Sequence, residues 1–182
     1  PDSPPQAPHP PSGLNDVVRR GGQGGEGARP LLQRGRHQVQ DRRRDHQQTE
    51  ALKLVLSECK PKAKIVDICE KGDNFITEQT GNVYKNVKRK IERGIAFPTC
   101  VSVNNTVCHF SPLATDDSVL EENDMVKIDM ACHIDGFIAV VAHTHVIKGG
   151  PVTGRAANVL AAANTAAEVA MRLVRPGKKN KD

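Results

Sequence analysis

Between Asp124 and Ile147 the alternation of apolar and polar residues fixes a hairpin. Val126, Ile128 and Met130 alternate with Lys127 and Asp129, the period-2 pattern of a strand with one buried face. Asp135-Gly136 then predicts a two-residue type I′ turn, which needs positive φ at both central positions. Phe137 to Val141 carries the return strand on through His143, Thr144, His145 and Val146. With Ile134 opposite Phe137, paired residue numbers sum to 271 and Asp129 falls opposite Ala142. Val140 becomes the diagonal neighbour of Asp129 on the same face.

The remaining pattern surrounds that hairpin with helices. Ala51 to Cys59 reads as the back half of a helix stopped by Lys60-Pro61. A second helix, from about Ala63 to Gln79, carries an apolar stripe of Ile65, Ile68, Cys69, Phe75 and Ile76, and Gly81 is placed to end it. Gly94 to Val103 predicts a strand interrupted at Pro98, followed by an Asn104-Asn105 turn and the short run Val107 to Phe110. Beyond the breaker Lys148-Gly149-Gly150-Pro151, Ala156 to Val174 is an alanine-rich helix. Its apolar side is Val159, Leu160, Ala163, Ala167, Ala170, Met171 and Val174. The order α-α-β-β-β-α argues an α+β fold, an antiparallel sheet with helices packed on one side.

Composition divides the chain in two. Residues 1–50 hold 7 of the 12 prolines, 7 of the 15 glycines, eight arginines and no lysine, whereas residues 51–182 hold thirteen lysines and five arginines. One reading of the first segment is a disordered, low-complexity basic arm. A second follows from the genetic code. With suitable codons, residues 36–48 (RHQVQDRRRDHQQ) read one base out of phase give VTKYKTAAEIIN, an amphipathic helix start that runs into Ala51-Leu52-Lys53-Leu54-Val55-Leu56. On that reading residues 1–48 are an out-of-frame translation and phase is regained near Thr49-Glu50-Ala51. The functional unit is then 51–182, a partial domain.

Net charge is +5 with a pI near 9.1, a mild basic bias compatible with nucleic-acid contact. Cys59, Cys69, Cys100, Cys108 and Cys132 form no CxxC pair and no zinc spacing, and an odd count without a framework is expected of a reducing compartment. No apolar run approaches the length of a membrane span, so no membrane partner is expected.

Two stretches carry chemistry. Asp129 is a carboxylate on a mostly apolar strand, and its functional use would be one half of a metal-binding pair with the other half diagonal to it. The diagonal residue is Val140, which a hard divalent ion cannot use. Asp129 is therefore expected to be a retained polar residue held by hydrogen bonds. His109 is expected to be structural, and His133, His143 and His145 to lie on the surface or line a pocket. No cysteine is assigned as a nucleophile. Tyr84 to Arg93 is a basic run. It is either a solvated face or, through Lys85, Lys88, Arg89, Lys90 and Arg93, a contact with RNA phosphates.

CEKGDNFI at 69–76, GIAFPTCVSVNNTVCHFSPL at 94–113, DMVKIDMACHIDGFIAVVAHTHV at 124–146 and AMRLVRPG at 170–177 resemble the methionine aminopeptidase-like (pita-bread, peptidase M24) superfamily. The likeness is to its non-peptidase branch, the proliferation-associated, ErbB-receptor-binding proteins, in a plant-like form. It covers 51–182 and implies the first, N-terminal half of a pita-bread fold.

Active members hold two metal ions on two aspartates, a histidine and two glutamates. By resemblance Asp129 matches the first aspartate, Val140 stands at the second, and His109 matches a substrate-side histidine, so both polar residues would be vestigial. No catalytic residue, metal or other cofactor is then expected. The implied function is a non-catalytic binding protein associated with RNA or ribosomes and with growth or translation control, in cytoplasm and nucleus, including the nucleolus. Protein partners in growth control are implied as well. The lysine-rich C-terminal tail that serves nucleic-acid binding in the family is not in this sequence. The alternatives are an active metal-dependent methionine aminopeptidase and a truncated gene model without independent function. A lone half is expected to be poorly soluble or dimeric.

Overall fold

The computed structural model describes residues 48–86, 88, 90–179 and 181. The segment expected to be disordered or out of phase therefore lies, apart from 48–50, outside the described residues. Helix α1 runs over 48–58, α2 over Ile65–Gly81, strand β1 over Arg93–Val103, β2 over Met125–Ile134, β3 over Phe137–Val146, and α3 over Gly154–Leu173. The strands form one antiparallel sheet in the order β1-β2-β3.

The hairpin has the register its turn demands. Asp135 and Gly136 take φ of 55° and 78°, and Ile134 pairs with Phe137, Asp129 with Ala142 and Ala131 with Val140. One face of the sheet is apolar. Val101, Val126, Ile128, Met130, Cys132 and Val141 pack there against Ala51, Val55, Ile65, Ile68 and Ile76 of the first two helices. The link between α1 and α2 is fastened to 118–121, where Leu120 exchanges backbone hydrogen bonds with Lys62 (2.6 Å) and Ala63 (2.9 Å). The Leu120 side chain is fully buried in the same core.

Strand β1 is continuous through Pro98, contrary to the expected interruption. Two register shifts, between Ile95 and Phe97 and between Phe97 and Cys100, absorb the proline as bulges. The Thr99 N–H donates instead to the Asp73 carboxylate of α2 at 2.8 Å, so a helix side chain supplies the acceptor at the bulge. Gly72, next to Asp73, lets α2 approach that closely. A Cβ there would lie 2.8 Å from Thr99 Oγ1 and 3.0 Å from Val55 Cγ2.

The expected end of α2 holds, and the expected face of α3 is corrected. Gly81 is the last residue of α2, and the cap position falls one residue later. Asn82, in right-handed helical geometry, closes the helix with its N–H bonded back to Gln79 and Glu78 carbonyls. No residue of α3 is buried. Its expected apolar side is open, with Val159 50% and Met171 46% exposed. Alanine, the best helix former, accounts for α3 forming without that burial.

Candidate functional site

The sheet face turned away from α1 and α2 carries the chemistry. Strand β2 places Asp129 there, and the bulge around Pro98 sets Cys100, rather than Thr99, directly opposite it. Without that extra residue Thr99 would face the carboxylate. Past the Asn104-Asn105 turn the chain folds back along β1. The Val101 N–H donates to the Phe110 carbonyl at 2.8 Å and the Phe110 N–H to Ser102 Oγ at 3.1 Å. This return presents His109 in left-handed geometry, φ 61°, with Nδ1 3.2 Å from Asp129 Oδ2. One donor atom each from Cys100, His109 and Asp129 lies within 4.8 Å of the others.

Asp129, with its side chain 21% exposed, thus stands against a histidine whose side chain is 75% exposed. Val140 shares the face, opposite Ala131, and is 53% exposed. The apposition of Cys100 and His109 escaped sequence reasoning. Its signal was there, since the Asn104-Asn105 turn stands midway between residues 100 and 109.

Other expected residues are scattered. His145 lines an open pocket with Cys59, Lys60, Pro61 and Glu122. Burial, and then the neighbouring His145, lowers the His143 pKa. His133 keeps a buried Nδ1 without a hydrogen-bond partner. Burial pushes the thiols of Cys59 up to about 11 and Cys69 up to about 12, which leaves both inert at neutral pH. Of the basic set, Lys85, Lys88 and Lys90 are exposed, and Arg89 lies outside the described residues. Arg93 is half-buried and its guanidinium donates to the Val83 carbonyl, so it serves the backbone of its own turn.

The sequence pattern of metallopeptidase family M24 matches residues 44–182. The chain belongs to that family. Over 132 residues it is 81% identical to a Solanum tuberosum protein named ERBB-3 binding protein 1, covering 72% of this chain and 34% of that one. It is 47% identical over 135 residues to proliferation-associated protein A of Dictyostelium discoideum, covering 72% of this chain and 35% of the relative. The solved structure of a thermophilic Arx1 superposes with a TM-score of 0.67 at 31% identity, covering 72% of this chain and 37% of that chain. The M24 chain described here spans about one third of the length of the curated relatives it matches. Its α+β arrangement is a partial pita-bread domain of the methionine aminopeptidase-like type.

Membership of a metallopeptidase family raises the question of a metal pair. The face does not fit one. Two hard ions need bridging carboxylates, and beside Asp129 the facing strand offers only Ala142 directly opposite and the hydrocarbon of Val140 on the diagonal.

Proposed function

We propose that this M24 chain is part of a non-catalytic binding protein, a peptidase scaffold used as an interaction platform in association with RNA or ribosomes. The single observation that carries the reading is that Asp129 pairs with Ala142 and has the exposed Val140, not a second carboxylate, as its diagonal neighbour on the same face. A lone carboxylate cannot hold a hydrolytic pair or lower the pKa of a bridging water. Hydrolysis is therefore absent from its role, which is binding in growth or translation control. The name of the potato relative supports a protein partner of receptor type. The exposed Lys85, Lys88 and Lys90 on the turn before β1 supply cations for RNA phosphates. Residence in cytoplasm and nucleus, nucleolus included, goes with such partners.

The test is hydrolysis of a methionine-initiated peptide by the purified chain with cobalt or manganese added. The expected rate is that of the buffer blank. Turnover that disappears in Asp129→Ala would overturn the proposal.

A further inference from the structure

We propose that Cys100, His109 and Asp129 form a site for one zinc-type divalent ion, distinct in donor set from a two-carboxylate pair and independent of whether the protein binds RNA. Three observations carry it. The first is donor chemistry. A thiol, an imidazole and a carboxylate are the three side-chain types that zinc takes, and the mixed set disfavours magnesium or calcium. Zinc bond lengths put neighbouring donors of a tetrahedral site about 3.4–3.6 Å apart. His109 Nδ1 and Asp129 Oδ2 stand at 3.2 Å, and the whole set lies within 4.8 Å, a spacing that side-chain rotation alone can close.

The second is independent backbone support. Asp129 sits mid-strand in β2, Cys100 is held opposite it by a bulge whose N–H is bonded to Asp73, and His109 is held by the Phe110 bonds to Val101 and Ser102. The ordering cost of bringing three donors together is therefore largely met before an ion arrives.

The third is the local field. Cys100 is 5% exposed. Asp129 stands directly opposite it, and Asp73 accepts from the N–H of the neighbouring Thr99. Activated thiols lie in electropositive surroundings, and this one lies among carboxylates, so it is poorly placed as a nucleophile and well placed beside a cation. On binding, the thiol proton leaves to solvent and the Sγ gives up its 3.2 Å hydrogen bond to the Pro98 carbonyl. The exposed side of His109 leaves the fourth position to water. The ion would pin the 104–113 return segment to the sheet.

The experiment uses the full 182-residue chain, stripped with chelator and kept reduced by a phosphine. Cobalt(II) is titrated by absorbance, and zinc is then titrated in competition with a chromophoric chelator. One equivalent should bind, with a sulfur-to-cobalt charge-transfer band of a single thiolate. Loss of one of three protein ligands should weaken zinc binding by about 100-fold or more. Cys100→Ser should remove the band and Asp129→Asn should weaken binding comparably, while Cys108→Ser should leave both intact. Asp129 is partly exposed, so its variant remains informative should Cys100→Ser fold poorly. Absence of one-to-one binding, a band that survives Cys100→Ser, or unchanged affinity in Asp129→Asn would each overturn the site.

Discussion

Gln48 is 1% exposed, and neither heteroatom of its amide has a hydrogen-bond partner. It stands three residues before Ala51 and seven before Val55, both fully buried, so the helical period puts it on the core stripe of α1. An amide buried without partners costs about 1–3 kcal/mol relative to an apolar side chain of similar shape. A residue translated out of phase is not matched to its position, and an unpartnered glutamine where the stripe calls for leucine or isoleucine is what such a shift leaves behind. We propose on this ground that phase is regained just after residue 48, and reading the transcript across 45–52 checks it. The corresponding protein measurement is Gln48→Leu, which should raise the unfolding free energy by about 1–2 kcal/mol in a urea titration. A fall in stability would mean that the amide is satisfied, and the physical argument for the shift would go with it.

Strand β1 and helix α2 show what local pattern conveys and what it omits. The β2–β3 hairpin was legible down to its register, because Asp135-Gly136 leaves one turn type and a one-residue slip would turn every apolar side chain outward. Pro98 was legible as a disturbance. Its resolution as a bulge depends on Asp73, whose carboxylate receives the Thr99 N–H from 26 residues away in sequence, and no window of local pattern contains both. The same distance hid the role of Gly72. Alanine at that position would gain about 0.5–1 kcal/mol of helix propensity. It would also drive a methyl to 2.8 Å from Thr99 Oγ1, on a side chain that is fully buried and too short to swing away. Overpacking of that kind costs about 1–3 kcal/mol. Gly72→Ala should therefore lose about 1 kcal/mol net by thermal or urea unfolding, and adding Thr99→Ala should restore part of it through positive coupling between the two sites. Equal stability of Gly72→Ala and the parent chain would show that α2 does not need the close approach. Helix α3 was legible as a helix and not as a surface, since an alanine-rich stripe reads alike whether or not anything covers it.

The sheet has one face in contact with α1 and α2, and on the other face the described residues leave the β3 side open. Ile138 and Val140 project from β3 on the open face at 57% and 53% exposure, with the half-buried Phe97 one strand further along the same row through Ala131. Strand β3 is also a sheet edge in the described structure, and an edge with apolar side chains above it favours pairing with a like surface. The 182-residue chain should accordingly associate with itself, as a concentration-dependent dimer or larger species in sedimentation velocity. Each Ile or Val side chain buried in such a contact contributes about 1.5–3 kcal/mol, or roughly tenfold or more in the association constant. Ile138→Thr combined with Val140→Thr keeps the β-branched shape that suits a strand while making the face polar. The double variant should shift association to at least about tenfold higher concentration and leave the circular dichroism spectrum unchanged. A parent chain that stays monomeric and melts in one cooperative step at high concentration would contradict this, and would mean that the open face is tolerated by water as it stands.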